Sequence, residues 1–231
     1  MNTNYNCIQI LKLIKTNLED NIEWGEENVY GDMNIVQNQD SMLTELKQKI
    51  SKCRKCNLGN ERINIVFGVG NSNASLMLIG EAPGYEEDHQ GEPFVGKAGQ
   101  LLTKIINAIG YNRQDIYITN IVKCHPMKNI INCNKRDNNR PPTIYEINHC
   151  MQYLEKQIDI IKPKIIVTLG SSATKGLLNI DVNISIVRGT IMKYKNIIVI
   201  PTYHPAALLR NNNLKKYVWA DMKQIRKYLL L

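Results

Sequence analysis

Four short apolar runs punctuate the chain, at Leu76 to Ile79, Ile116 to Thr119, Ile165 to Leu169 and Ile197 to Ile200. Unbroken apolar runs of this length, bounded by polar or glycine-bearing segments, suit strands buried on both faces. Between the first two runs, Leu101, Leu102, Ile105, Ile106 and Ile109 recur at helical spacing. Strand-like runs that alternate with helical ones predict an α/β fold: three α/β/α layers around a central, mostly parallel four-stranded sheet. The pattern differs at the amino-terminal end, which is Asn-rich and acidic from Glu19 to Asp32. There the expectation is a weak helix near Ile8 to Leu18, a loosely ordered stretch, and a helix from Ser41 into the first cysteine pair. Residues 1–40 thus read as an acidic extension and 41–231 as one domain, long enough for a substantial core.

Charge follows the same division. The net charge of +8 is the sum of a −4 leader, residues 1–50, and a +12 body, residues 51–231. A basic body attracts phosphates and binds them in a salt-sensitive way. An AT-rich coding bias that enriches Lys, Asn and Ile would give the same excess. There is no amino-terminal apolar run long enough for a secretory signal or a membrane span, so the expected setting is cytoplasmic, at the nucleoid, with thiols kept reduced. This favours metal ligation by the cysteines over disulfides.

The candidate chemistry lies just past three of the apolar runs. Residues 80–102, GEAPGYEEDHQGEPFVGKAGQLL, join a strand to a helix through a glycine-rich loop, at the carboxyl end of the strand, where open α/β sheets bind ligands. Glycines such as Gly84 let main-chain N–H groups face a ligand, and Phe94 offers an apolar face on which a heterocycle can stack. A tight connection and a core phenylalanine are the plainer readings. The run Tyr117 to Asn120 ends in a carboxamide that can donate to and accept from the edge of a nucleobase, although Asn also serves turns. After the last run, His204 precedes Pro205, which biases it away from helix and suits a fixed hydrogen-bond donor as well as an ordinary structural histidine. Of six cysteines, Cys53 and Cys56 form a two-residue-spaced pair. That spacing fits zinc, an iron–sulfur cluster or a redox dithiol.

Taken together, the loop at 80–102, the strand YITNIVKC at 117–124 and HPAALLR at 204–210 resemble the uracil-DNA glycosylase superfamily, and within it the family 4, iron–sulfur enzymes. The resemblance covers about residues 51 to 231 and follows the family's order. It implies a DNA-repair hydrolase that flips uracil out of single- or double-stranded DNA and cleaves its N-glycosidic bond. It also implies a monomer with no membrane attachment that hands its product to downstream repair or replication proteins. A [4Fe-4S] cluster would sit on Cys53, Cys56, Cys124 and Cys150. Cys150 is chosen because Asn139 to Glu146, NRPPTIYE, resembles the start of the family's cysteine-bearing helix, with Thr143 and Glu146 as a capping box. Lys128 to Asn138 then reads as an insertion holding Cys133, a free thiol and the competing fourth ligand, while Cys7 falls outside the match.

The resemblance also implies the roles of the site residues. His204, with backbone N–H groups near Glu81 and Ala82, would stabilise the leaving oxyanion. Phe94 would stack on uracil, Asn120 would read its edge, and Gly84 and Glu87 would complete the pocket, with Glu87 in the space of the thymine methyl. Leu208 or Leu209 would fill the vacated stack beside Arg210. Ala82 stands where related enzymes carry an aspartate that helps the attacking water, which leaves Glu81 or main chain to place it. Related uracil-DNA binders that are captured covalently carry a histidine in an inserted loop. This insertion has Lys135 and Arg136 but no histidine, the nearest being His125. Two other classes compete, a non-catalytic DNA-binding module and an enzyme acting on a different small substrate.

Overall fold

The computed structural model describes residues 38–132, 135, 136 and 138–230. The helix expected near Ile8 to Leu18, the acidic stretch, Cys7 and Cys133 lie outside them. The chain divides into two compact units, residues 1–41 and 42–231. Of the first, residues 38–41 are described, and they are helical.

The second unit opens with a helix over 42–51 (α1). It continues through α2 (Leu58–Glu61), β1 (Val69–Gly70), β2 (Leu76–Gly80), α3 (Tyr85–Gln90), α4 (Lys97–Ala108), β3 (Tyr117–Asn120), a 3₁₀ turn (Ile130–Asn132) and α5 (Ile144–Ile161). Then come β4 (Ile165–Leu169), α6 (Ser171–Leu178), α7 (Ile184–Val187), β5 (Met192–Tyr194), β6 (Ile197–Thr202), α8 (Pro205–Arg210), a 3₁₀ turn (Asn212–Leu214) and α9 (Lys215–Leu229). Helix α1 stops before Cys53, so the cysteine pair occupies the turn after it rather than the helix end.

Among the described residues the sheet has six strands in the order β1-β3-β2-β4-β6-β5, two more than the apolar runs predict. The four expected strands form its parallel centre, with Leu78 opposite both Ile118 and Val167, and Val167 opposite Ile200. The additions are short antiparallel edges, β1 on β3 and β5 on β6. Edge strands of two and three residues are buried on neither face, so they carry no apolar run to betray them.

Alternation along the central strands sorts the core into two clusters. Met77, Ile79, Tyr117, Ile166 and Val199 face α1, α5 and α6, packing with Leu46, Ile50, Leu154, Ile158 and Leu177. Leu76, Leu78, Ile118, Val167 and Ile200 face α4, α8 and α9, packing with Leu102, Ile106, Leu208, Val218 and Met222. This is the three-layer α/β/α arrangement, and it leaves the carboxyl ends of β2, β3, β4 and β6 side by side. Among the described residues, no helix is long and apolar enough to cross a membrane.

Gly70 closes the β1 edge at φ +123°, where a Cβ would lie 1.8 Å from the Ile116 carbonyl oxygen. A Gly70→Ala change is expected to cost roughly 2–5 kcal/mol, combining backbone strain with overpacking. The thermal unfolding midpoint, followed by circular dichroism, should fall by roughly 5–15 °C.

Candidate active site

Glu81, Ala82, Pro83, Gly84, Glu87, Phe94, Ala98, Asn120, Asn139, Arg140 and His204 line one cavity of about 230 Å³ at the carboxyl edge of the sheet. Seven of these are residues singled out in the sequence. Gly80 at the end of β2 makes the close approach that joins them: a Cβ there would meet Asn120 Oδ1 at 2.3 Å and the Phe94 ring at 2.5 Å. Asn120 Oδ1 is buried and, among the described residues, without a hydrogen-bond partner. A buried carbonyl left unpaired is costly, so this atom is one at which a donor from outside the chain would be accepted.

Phe94 holds a left-handed backbone, φ 55°, a conformation that costs about 1–3 kcal/mol for such a residue. Its ring lies 5.6 Å from the His204 imidazole, centroid to centroid, and Gly99 lets helix α4 seat against its carbonyl. Arg113 donates to the Pro93 carbonyl at 2.7 Å and the Phe94 carbonyl at 3.2 Å. The Glu87 carboxylate accepts from the N–H groups of Gly84, Val95 and Gly96, which ties the first half of the loop to the second.

His204 caps α8 from extended backbone, as Pro205 dictates, and its Nδ1 accepts the N–H of Ala206 at 3.1 Å. With Nδ1 engaged as acceptor, the neutral ring carries its proton on Nε2, where it can donate. Burial, and secondarily the nearby Arg210 charge, pull its pKa down to about 4, while Glu87 opposes them weakly. Burial likewise raises the Glu81 carboxyl, against a hydrogen bond from Ser172. At the end of the same loop Leu208 is 1% exposed and packed in the core, whereas Leu209 is 50% exposed. Leu208 thus belongs to the core cluster that holds Leu102 and Val218. Leu209 and Arg210 are the side chains that α8 presents to solvent.

Asn139, Arg140, Pro83 and Ala98 carry no signal in the sequence that assigns them to the cavity. Asn139 and Arg140 stand there as the lead-in to a helix, and nothing local reveals that they fold back over Gly84. They are held there by pairing: Met127 bridges Asn139, Arg140 N–H donates to the Pro126 carbonyl, and the guanidinium forks onto Glu146 at 2.9 and 2.7 Å. The expected capping box is present, with Thr143 and Glu146 exchanging bonds of 2.7 and 3.2 Å. The segment 128–138 thus leaves and rejoins the site through a closed neck. His125 is 1% exposed and faces Asp88 at 3.6 Å and Asn139 at 2.6 Å.

The thiols of Cys53, Cys56, Cys124 and Cys150 line a second, small recess under the turn after α1. All four are free. Arg62 donates to Cys124 Sγ at 3.2 Å, Tyr153 to Cys53 Sγ at 3.3 Å and the Lys123 N–H to Cys150 Sγ at 3.3 Å. The N–H groups of Leu58 and Gly59 point at Cys56. Burial pushes the Cys124 thiol up to about 11 and the Cys150 thiol up to about 12, so only a bound cation would make them thiolates near neutral pH. Among the described residues, no three His, Cys, Asp or Glu side chains are grouped for a single metal ion. Between the two sites lies Lys123, fully buried, whose Nζ donates to Thr119 Oγ1, the Asn120 carbonyl and Gln157 Oε1, each at 2.6 Å. Burial brings its pKa down to about 7.

A model of the uracil DNA glycosylase superfamily matches residues 67–223. The chain is 47% identical over 195 residues to the type-4 uracil-DNA glycosylase of Sulfurisphaera tokodaii, covering 80% of this chain and 84% of that protein. It is 41% identical over 191 residues to the type-4 uracil-DNA glycosylase of Archaeoglobus fulgidus, covering 79% and 91%. It is 38% identical over 197 residues to the type-4 uracil-DNA glycosylase of Thermotoga maritima, covering 83% and 96%.

His204 is held neutral in the folded chain, whereas in the unfolded chain it titrates near the ordinary 6.5. Its contribution to stability is therefore complete above that pH and is lost as pH falls from about 6.5 toward 4. Ring-nitrogen NMR should place its midpoint near 4, and His204→Gln should remove this component of the pH dependence of unfolding.

Proposed function

The chain belongs to the uracil DNA glycosylase superfamily, and we propose that its cavity receives a uracil flipped out of DNA and releases it by hydrolysis of the N-glycosidic bond. The observation that carries this reading is Asn120 Oδ1, buried and without a partner among the described residues, beside the Phe94 ring and the neutral His204. A uracil edge offers one N–H donor next to carbonyl acceptors, so a single carboxamide can bond it twice, with Oδ1 accepting and the amide N–H donating. The Phe94 ring supplies the stacking face that the base loses on leaving the duplex, worth roughly 1–3 kcal/mol.

Cleavage moves the electron pair of the C1′–N bond onto uracil, chiefly to a carbonyl oxygen, and leaves positive charge on the sugar. His204 donates from Nε2 to that oxygen, and backbone N–H groups around Glu81 and Ala82 add to the stabilisation. A neutral donor suits the task, because with its pKa near 4 the ring donates from Nε2 without first having to take up a proton from solvent. Water then adds at C1′ and loses a proton to solvent, while the uracil anion takes one up, so that the products are neutral uracil and an abasic sugar. No side-chain carboxylate stands at Ala82, so Glu81, which lines the cavity, is the group proposed to hold the water. Glu87 lines the cavity with its carboxylate fixed by three N–H donors, a rigid wall where a methyl on the base would fall. Leu209 fills the vacated stack and Arg210 meets phosphate.

The four-thiol recess fits a [4Fe-4S] cluster on Cys53, Cys56, Cys124 and Cys150. Its donor set is all sulfur, four in number, and is met by N–H and O–H donors of the kind that support cluster sulfurs. When bound, such a cluster supplies a covalent cross-link between the turn after α1, the end of β3 and α5. Hydrolysis involves no oxidation or reduction, so the proposed role is structural. Covalent capture of the DNA sugar is disfavoured by one observation: His125, the histidine nearest the insertion, is buried behind Asn139.

Single-turnover excision from an oligonucleotide with one uracil, read as alkali-labile breaks on a denaturing gel, is the direct test. Breaks should appear with uracil and not with thymine, and no adduct should survive denaturation. His204→Ala should slow excision by about 10²–10³, the loss typical of one oxyanion donor. No breaks from well-folded protein would leave a binding module. Iron analysis tests the cluster separately: Cys150→Ser should lose iron and the associated visible absorbance, while Cys133→Ser should keep both.

A further inference from the structure

Among the described residues, four other than glycine have positive φ: Phe94, Lys162, Asn179 and Lys195. Lys162 and Asn179 cap helix ends, and Lys195 turns the chain between β5 and β6, where such backbone is ordinary. Phe94 alone of them lines the cavity. A bulky residue stays in this region only where its surroundings over-determine it. The surroundings act from both sides. Ahead, Glu87 Oε1 takes the Val95 and Gly96 N–H groups at 3.0 Å each. Behind, the Arg113 guanidinium spreads over two successive carbonyls, Pro93 at 2.7 Å and Phe94 at 3.2 Å, with Thr103 Oγ1 at 3.4 Å.

Arg113 itself comes from the loop between α4 and β3, nineteen residues away in sequence, and is not among the residues that line the cavity. The guanidinium sends a separate nitrogen to each carbonyl in one rigid plane, a geometry that lysine, with one nitrogen on a flexible stem, does not hold. Burial weighs against the guanidinium charge and lowers its pKa, and Glu92 and Glu87 partly offset that.

We propose that Arg113 is a positioning residue, whose hold on the Pro93 and Phe94 carbonyls fixes the Phe94 ring in the pose that stacks on the flipped base. This rests on the uracil-excision reading of the cavity. Released from the fork, residue 94 relaxes toward ordinary backbone and its ring turns away from Asn120 and His204. Arg113 therefore acts on the reaction only through Phe94, which separates it from a residue that merely stabilises the fold.

A double-mutant cycle isolates that dependence. Single-turnover excision and inhibition by free uracil are measured for the wild type, Arg113→Met, Phe94→Ala and the double variant, with thermal unfolding for each. Arg113→Met is expected to lower kcat/KM by about 10–100-fold and to weaken uracil inhibition in parallel, and the double variant should lie within about threefold of Phe94→Ala alone. Losses that multiply, or an unchanged kcat/KM in folded Arg113→Met, would overturn the role. Arg113→Lys should rescue little, and full rescue by it would overturn the fork. If Arg113→Met does not fold, Arg113→Lys and Arg113→Gln carry the same cycle. A wild type that neither excises nor is inhibited by uracil removes the reading of the cavity and the Arg113 role together, whereas multiplying losses in an active enzyme remove the Arg113 role alone.

Discussion

Gly80 ends β2 without a side chain, and the volume a Cβ would take is shared by the Asn120 carboxamide, 2.3 Å away, and the Phe94 ring, 2.5 Å away. The cavity depends on this approach. Parallel pairing sets Gly80 opposite Asn120, so the carboxamide of one strand reaches across the bare end of its neighbour. Phe94 closes on the same spot from the loop that follows β2. Interiors are packed densely enough that even one extra methyl at Gly80 would have to displace the hydrogen-bonding group, the stacking face, or both.

Around that contact the chain sets charged and polar groups where apolar ones would be cheaper. Lys123, buried beneath Asn120, holds the Asn120 carbonyl, Thr119 and Gln157, and Gln157 also bonds Tyr117 and the Phe67 carbonyl. Each polar group in this cluster is bonded to others, the condition under which a buried network adds rigidity rather than cost. It fixes the end of β3 against α5. Because Lys123 N–H also faces Cys150 Sγ and Cys124 follows in sequence, the thiol recess and the base-sized cavity share one short segment of backbone. A cross-link through the four sulfurs would thus brace the strand that presents Asn120.

Much of this is legible in local pattern along the chain. The four apolar runs are the four parallel strands, because a strand buried on both faces is predominantly apolar. Pro205 sets His204 in extended backbone and starts α8, while Thr143 and Glu146 cap α5, all through contacts within three residues. The cavity residues Glu81, Gly84, Glu87, Phe94, Asn120 and His204 are visible as polar, aromatic or glycine positions just past strand ends. The short edge strands are not, since two or three residues open to solvent carry no hydrophobic signature.

What the sequence by itself determined is the α/β order, the carboxyl-edge location of the chemistry and the identity of its main groups, because each follows from interactions between near neighbours. Only the tertiary structure decided which of Leu208 and Leu209 is free, since both sit in one apolar pair and the choice belongs to the helices α4 and α9 packed across from them. It alone turned Asn139 and Arg140 into cavity walls, buried Lys123, and brought Arg113 onto the Phe94 carbonyl. Those outcomes depend on which distant surfaces meet, and burial and hydrogen bonding across a fold leave no periodicity along the chain to read.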